Sequence, residues 1–342
     1  MSGFKIEWEI IPLTLKEVFT ISRSSRSEVS NVFLSITKDG ITGYGEAGPN
    51  TRYNETPEIV VSDFESIPYG FFDDISSPDE VESMIGNLNP EPVQSAKMAI
   101  EMAWLDWWAK SQGQPLWKLL GEKTSVTPVT SFTIGIDSPE KMQAKIRDAE
   151  QYPVYKIKLG TERDREIIEA IREVTDKPLR VDANEGWATF EQAQKEIEFL
   201  DTQNVELIEQ PMPASEFKLM KQLKEWSPLP LAADESFIGD EDLRQIAQAF
   251  HVINIKLMKM GSILKARRVL NQAHEKGLRV MVGCMIESSL ANAAGALVAL
   301  NAEYADLDGH LLISNDSYKG LSTNQQKEIV LSDELGFGVS KK

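Results

Sequence analysis

From about residue 126, short apolar runs rich in branched residues alternate with longer stretches of helical pattern. Eight such runs follow one another: VTSFTIGI, YKIKLG, LRVDANEG, VELIEQP, LPLAADES, VINIKLMK, LRVMVGCMIE and ADLDGHLL. Strands that alternate with helices form βαβ units and a parallel sheet, and eight of them predict a closed barrel. The alternative is an open doubly wound sheet with a glycine-rich phosphate loop, but the sequence has no G-x-G-x-x-G or Walker motif.

The first third of the chain has a mixed pattern. Residues 4–12 and 29–37 are apolar or alternating, and residues 40–46 close with two glycines, which together predict a short antiparallel sheet. Residues 92–112 predict a helix, because apolar side chains recur at steps of three and four and form a stripe that packs in a core. These side chains are Ala96, Ile100, Ala103, Trp104 and Trp107. We therefore expect an α+β domain ahead of the barrel.

The composition narrows the classes of function. Of 342 residues, 42% are hydrophobic and 26% are charged, as in ordinary soluble globular proteins. The formal net charge of −17 argues against nucleic acid and anionic membranes as partners. The single cysteine, Cys284, excludes an intrachain disulfide and fits a reducing cytosol. We see no signal peptide and no apolar run of about 18 residues, so we expect a cytoplasmic protein that binds a small molecule.

Seven of the predicted strands end in charged side chains. A strand buried on both faces should be almost continuously apolar, whereas barrel enzymes carry their chemistry at the C-terminal ends of the strands. The charged ends are Lys156 and Lys158, Asp182, Glu209, Asp234 and Glu235, Lys256, Glu287, and Asp306 and Asp308. This shared position predicts an active site at one mouth of the barrel.

Asp182, Glu209 and Asp234 end three consecutive strands. Neighbouring strands lie about 4.8 Å apart, so the three carboxylates converge and repel one another unless a cation lies between them. Mg²⁺ prefers carboxylate oxygens and leaves positions open for substrate, and the lack of nearby histidine or cysteine disfavours zinc. The alternative is three separate caps or salt bridges at the starts of loops. The ordered set favours a Mg²⁺ site.

The lysines predict proton transfer. Lys156 and Lys158 are two residues apart on one strand and share a face, so their ammonium groups should depress each other's pKa. Lys256 lies on the opposite strand of an eight-stranded barrel. Two lysine sites that flank a metal can act on both faces of one carbon, which predicts abstraction of a proton next to a carboxylate. The alternative is that the lysines lie on the surface or pair with the acids.

These motifs resemble the enolase superfamily, in its muconate-lactonizing subgroup, over nearly the whole chain. They are the residue 92–121 helix region, KIK at 156–158, VDAN at 181–184, EQP at 209–211, ADES at 233–236 and NIKLMKMGS at 254–262. The resemblance implies a (β/α)₇β TIM-like barrel at 123–314, an α+β capping domain at 1–122 and a C-terminal segment, 315–342, that returns to the cap. It also implies Lys158 and Lys256 as acid/base residues and Asp182, Glu209 and Asp234 as Mg²⁺ ligands.

Within the subgroup, ADLDGH at 305–310 resembles the Asp-x-Asp signature of dipeptide epimerases. The resemblance implies that Asp306 and Asp308 bind the ammonium group of a dipeptide; the alternative is a basic side chain such as Arg52 or Lys259. It further implies that the substrate contacts Thr133, Lys156, Cys284 and Ile286.

Two loops of the predicted cap, at residues 20–28 and 47–55, should contact the side chain of the second residue of the dipeptide. Arg23 or Arg26 would pair with an acidic side chain there. The sequence does not distinguish between these two arginines, and the alternative for each is plain exposure to solvent.

The expected function is that of a Mg²⁺-dependent dipeptide epimerase. By the resemblance, such an isomerase inverts the α-carbon of the second residue by 1,1-proton transfer through an enediolate. The substrate would be L-Ala-D/L-Glu or another dipeptide, including a hydrophobic one. The alternatives are an o-succinylbenzoate synthase, a cycloisomerase, an N-acylamino acid racemase or a non-catalytic barrel. The physiological dipeptide, the pathway and assembly into a homo-oligomer stay open.

Overall fold

Three antiparallel strands open the chain in the computed structural model, which describes residues 3–342. The strands are β1 (Lys5–Ile21), β2 (Ser24–Lys38) and β3 (Ile41–Ala47), and they pair in the order β1-β2-β3. Four helices follow: α1 (Pro57–Glu65), α2 (Pro78–Gly86), α3 (Gln94–Ser111) and α4 (Leu116–Leu119). The antiparallel sheet and the long helix predicted from the sequence are thereby confirmed.

Helix α3 packs closely on strand β3. A Cβ atom at Gly45 would lie 1.9 Å from the carbonyl oxygen of Ala99, so only glycine permits this approach. Ala99 and Ala103 of α3 are fully buried, and Trp104 is 1% exposed. The aromatic stripe is core packing, as predicted, and it joins the sheet and the helices of the cap into one body.

Eight parallel strands form the barrel, and they pair in sequence order. They are β5 (Phe132–Ile134), β6 (Tyr155–Lys158), β7 (Leu179–Asp182), β8 (Val205–Glu209), β9 (Leu231–Ala233), β10 (Val252–Lys256), β11 (Arg279–Gly283) and β12 (Tyr304–Asp306), after a short β4 (Val126–Val129). A parallel bridge between Thr130 and Ala305 closes the ring. The closed barrel predicted from the eight apolar runs is confirmed.

Helices connect the barrel strands and cover their outer faces. They are α5 (Pro139–Asp148), α6 (Asp164–Arg172), α7 (Phe190–Asp201), α8 (Phe217–Trp226), α9 (Leu243–Ala249), α10 (Leu257–Met260), α11 (Ile263–Glu275), α12 (Ser289–Ala299) and α13 (Gly309–Leu312). Short 3₁₀ turns add Thr51–Tyr53, Phe71–Asp73 and Ala214–Glu216. Within residues 3–342, no helix combines the length and apolar character that a membrane crossing requires.

The C-terminal segment contacts the cap. It contains the short strands β13 (Tyr318–Lys319), β14 (Ser322–Thr323), β15 (Glu328–Val330) and β16 (Ser340–Lys341). The N–H of Leu116 donates to the carbonyl of Gly336 at 2.8 Å, and the N–H of Phe337 donates to Asp106 Oδ1 at 3.1 Å. These contacts fasten the segment to α3 and α4, while the domain boundaries at 122 and 314 stay predictions.

Two buried glutamates of the cap bind the N-termini of barrel helices. Glu46 on β3 accepts hydrogen bonds from the N–H groups of Ser288 at 2.9 Å and Ala291 at 3.3 Å, at the start of α12. Glu101 on α3 accepts from the N–H groups of Ile263 at 3.0 Å and Leu264 at 3.3 Å, at the start of α11. Because the first N–H groups of a helix lack partners within it, these carboxylates fix the cap on the barrel.

Candidate active site

A cavity of about 550 Å³ lies where the cap meets the C-terminal ends of the barrel strands. Its walls come from the β1–β2 hairpin around residues 19–31, from the cap loop around residues 48–53 and from the ends of strands across the barrel. The segment 20–28, predicted as a loop, is mostly strand, because β1 and β2 continue their pairing up to Ile21 and Ser24. The six predicted substrate contacts all line it: Thr133, Lys156, Cys284, Ile286, Asp306 and Asp308. Lys158, Lys256 and Asp234 line it too, so the structure brings these predicted residues together.

The predicted metal ligands form one cluster. Oxygen atoms of Asp182, Glu209 and Asp234 lie within 4.8 Å of one another. Asp182 and Glu209 are fully buried, and Asp234 is 3% exposed. A set of carboxylate oxygens without histidine or thiolate is the donor set of a hard divalent cation such as Mg²⁺. The residues present therefore fit that ion.

Each of these three carboxylates has one oxygen anchored by the protein. The anchors are the N–H of Asn184 on Asp182 Oδ1 at 2.9 Å, Asn254 Nδ2 on Glu209 Oε1 at 2.8 Å and Lys259 Nζ on Asp234 Oδ1 at 2.7 Å. The second oxygen of each acid faces a lysine of the cavity instead. These pairs are Lys158 with Asp182 Oδ2 at 2.6 Å, Lys156 with Glu209 Oε2 at 2.7 Å and Lys256 with Asp234 Oδ2 at 2.8 Å. The anchored oxygens fix the direction of the second set.

The lysines compensate the negative charge of the three clustered carboxylates to different extents. Burial and, to a smaller extent, the charge of neighbouring Asp182 raise the pKa of Glu209 to about 7. Burial would also raise the pKa of Asp234, but the charges of Lys256 and Lys259 outweigh it and hold that pKa well below its usual range. Glu209 is therefore the carboxylate that most lacks a cation.

Lys158 and Lys256 face each other across the barrel. Strands β6 and β10 are four positions apart in a ring of eight, and both lysines line the cavity. A substrate carbon between them would have one amine on each side. This is the geometry that the sequence predicted for the two lysines.

The expected pKa effect is wrong for Lys156. Burial would lower the pKa of this lysine, but the charges of Asp306, Glu209 and Asp182 raise it well above its usual value. Its ammonium lies 2.6 Å from Asp306 Oδ2 and 2.7 Å from Glu209 Oε2. Lys156 is therefore a fixed positive charge, and the nearby carboxylates matter more than Lys158.

The Asp306/Asp308 pair divides into two unequal carboxylates. Lys156 neutralises Asp306, whose pKa falls to about 2 because this charge outweighs burial. Asp308 accepts the N–H of Thr133 at 2.6 Å, and burial together with the charge of Asp306 raises its pKa to about 6. The basic partner considered from the sequence thus exists, but it is Lys156. Arg52 pairs with Glu185 and Lys259 with Asp234 instead.

The two cap arginines have different partners. Arg23 Nη2 lies 2.6 Å from Glu235 Oε1, and its Nη1 donates to the carbonyl of Asn184 at 3.0 Å. Arg26 lines the cavity, is exposed and forms no ion pair within residues 3–342. Arg52 of the second loop lies 2.8 Å from Glu185 Oε2. Arg23 and Arg52 thus fasten the cap to the barrel, whereas Arg26 has no ion-pair partner among the described residues.

The sequence-based prediction was wrong about the position of one acid, Glu287, and did not identify the two side chains that anchor Glu209 and Asp234. Glu287 lies four residues beyond the end of β11, outside the cavity wall, where burial raises its pKa to about 8. Asn254 holds Glu209 but was not predicted as a site residue, and Lys259 holds Asp234 but was considered only as a partner of Asp306 and Asp308. Asn254 had a signal, since it precedes Lys256 by two residues and a strand turns such residues to the same face.

Two protein-family models match most of the chain. Residues 6–121 match the mandelate racemase / muconate lactonizing enzyme N-terminal domain, and residues 140–342 match the enolase C-terminal domain-like family. The L-Ala-D/L-Glu epimerase of Bacteroides thetaiotaomicron is 39% identical over 342 residues, which cover 99% of this chain and 89% of the relative.

Solved structures agree with this match. The substrate-liganded L-Ala-D/L-Glu epimerase from Bacillus subtilis has a TM-score of 0.90 at 28% identity, covering 100% of this chain and 99% of that chain. A dipeptide epimerase from Cytophaga hutchinsonii, complexed with Mg and D-Ala-L-Val, has a TM-score of 0.89 at 28% identity, covering 99% and 96%.

Loss of any one carboxylate of the cluster should weaken Mg²⁺ binding. We expect Asp182→Asn, Glu209→Gln and Asp234→Asn each to raise the Mg²⁺ dissociation constant by more than about a hundredfold, beyond the range for groups outside the ligand set. Isothermal titration calorimetry measures this, with Glu166→Gln on the exposed face of α6 as the control. Unchanged Mg²⁺ affinity in all three variants would contradict the assignment.

Proposed function

Because this chain belongs to the mandelate racemase / muconate lactonizing enzyme family of the enolase superfamily, we propose that it is a Mg²⁺-dependent dipeptide epimerase. It is an isomerase that acts on amino acid derivatives, and the family predicted from its motifs is confirmed. The proposal rests on one arrangement. Lys158 and Lys256, from opposite strands of the barrel, line a cavity together with Asp234 of the acid cluster and with Asp308, a carboxylate that has no ion-pair partner within residues 3–342.

The chain's own residues supply the proton transfers. Lys158 and Lys256 reach the two faces of the α-carbon of the second residue. The lysine on one face, as a neutral amine, takes the α-proton and becomes an ammonium, and the lysine on the opposite face, as an ammonium, donates its own proton to the carbon. Bound Mg²⁺ would offset the negative charge that develops on the substrate carboxylate. Lys156 stays charged beside the cluster and adds to that stabilisation.

Asp308 is the proposed site for the substrate ammonium group. With the substrate carboxylate at the acid cluster and the α-carbon between the lysines, the amino end points toward β12. Asp306 already has a partner in Lys156, so Asp308 is the carboxylate of the pair that still needs a cation. A charge-assisted hydrogen bond from the ammonium group meets that need.

The same ion pair favours a second candidate. Because Lys156 neutralises Asp306, the site demands less positive charge from its ligand than two free carboxylates would. An N-acylamino acid racemase on this scaffold, with no substrate ammonium, is the alternative that this observation supports. The charge of Asp308 decides between the two.

N-acetylation of the substrate should therefore be costly. We expect kcat/KM for L-Ala-L-Glu to exceed that for its N-acetyl derivative by several hundredfold, since leaving a buried charge unpaired costs about 3–5 kcal/mol. Asp308→Asn should remove most of this difference, and Asp306→Asn less of it. Asp137→Asn, outside the cavity wall, is the control. Equal values for both substrates in the wild type would favour the racemase.

Arg26 is the proposed contact for an acidic second residue. It lines the cavity without an ion-pair partner, whereas Arg23 is held by Glu235. We expect the wild type to prefer L-Ala-L-Glu over L-Ala-L-Gln by about tenfold or more, because hydrogen bonds between charged groups contribute about 1.5–3 kcal/mol. Arg26→Ala should abolish this preference, and Arg23→Ala should slow both substrates alike. A preference that survives Arg26→Ala would point to a hydrophobic dipeptide.

We propose the cytosol as the location of this reaction. The only cysteine of the sequence, Cys284, is a free thiol, and free thiols persist in a reducing compartment.

A further inference from the structure

Asn254 is a fully buried amide beside the acid cluster. It lies on β10, two residues before Lys256, so both side chains point into the barrel. Its Nδ2 donates to Glu209 Oε1 at 2.8 Å, and its Oδ1 has no hydrogen-bond partner within residues 3–342. An unpaired buried polar atom costs stability. The amide orientation is nevertheless determined, because only the NH₂ group can face a carboxylate.

The neighbouring strand leaves room for this amide. Gly283 on β11 pairs in register with Lys256, two residues beyond Asn254, which pairs with Met281. A Cβ atom at position 283 would lie 2.7 Å from Asn254 Oδ1 and 3.0 Å from its Nδ2. The obstructed atoms belong to the movable end of a side chain, so a methyl group there would displace the amide rather than the backbone. Gly283 therefore keeps Asn254 in contact with Glu209.

Glu209 needs such an anchor more than its two neighbours. It has one more side-chain torsion than Asp182 or Asp234, so it has more orientations to lose on becoming fixed. Its other oxygen, Oε2, faces only Lys156, which also binds Asp306. By holding Oε1 of Glu209, Asn254 thus directs Oε2 toward the centre of the acid cluster.

We propose that Asn254, in the space left by Gly283, is a positioning residue that orients Glu209 for the divalent cation. The proposal rests on the metal site of the proposed function. It assigns Asn254 no contact with substrate and no proton transfer. Its effect is on metal affinity, acting through the direction of one carboxylate oxygen.

Titration with Mn²⁺, followed by the EPR signal of the free ion, tests this. We expect Asn254→Ala to raise the Mn²⁺ dissociation constant by about 10–100-fold, as for other groups that orient metal ligands. Asn292→Ala is the matched control: Asn292 is also fully buried with an unpartnered Oδ1, but it donates to the backbone carbonyls of Glu287 and Ser288. Its Mn²⁺ affinity should equal that of the wild type, whatever both variants lose in Tm.

A double-mutant cycle separates positioning from general destabilisation. Gly283→Ala should weaken Mn²⁺ binding while Asn254 is present and have no further effect in the Asn254→Ala background. Two results would overturn the positioning role of Asn254 while leaving the metal site itself untouched. One is wild-type Mn²⁺ affinity in folded Asn254→Ala, and the other is an equal loss of Mn²⁺ affinity from Gly283→Ala in both backgrounds. If Asn254→Ala does not fold, Gly283→Ala decides by itself, because unchanged affinity in that variant rejects the role. Absence of Mn²⁺ binding in the wild type would instead reject the proposed metal site.

Discussion

Buried negative charge is the constraint on which the rest of the site depends. Three carboxylates have oxygens within 4.8 Å of one another, and none is more than 3% exposed. Such a cluster is stable only beside positive charge, and lysines from β6 and from the β10 region supply it. Glu209 keeps a raised pKa even so, which marks the place that a divalent cation would fill. Two of these four lysines, Lys158 and Lys256, are also the ones that we propose to move protons.

The fold serves this cluster by fixing directions. Parallel strands bring their C-terminal ends to one mouth of the barrel, and the anchored oxygens set how each acid points. Two sets of contacts attach the cap to the barrel. Glu46 and Glu101 bind the N-termini of α12 and α11, while Arg23 and Arg52 hold the loops over the cavity. Charged contacts between the cap and the barrel thus hold the cap residues that line the cavity.

The order of the strands along the sequence was enough to predict which acids form the cluster. It was not enough to predict the side-chain contacts between strands, which depend on distances in the folded barrel. Asp182, Glu209 and Asp234 could be grouped because strand ends meet at one edge of a parallel barrel. Lys156 on β6 pairs with Asp306 on β12. These two strands are separated only by β5 because the barrel is closed, so residue spacing along the sequence could not predict the contact. The anchoring amide of Asn254 likewise depends on a contact with another strand and on the absent side chain at Gly283.

The central claim is that two lysines act on opposite faces of one carbon, and deuterium exchange tests it most directly. Lys158→Ala and Lys256→Ala, incubated in D₂O with each stereoisomer of the best dipeptide, should both fail to invert it. Each variant should still exchange the α-proton of one stereoisomer only, and the two variants should exchange opposite ones, as followed by ¹H NMR. Inversion at the wild-type rate by either variant, or exchange of the same stereoisomer by both, would contradict the account.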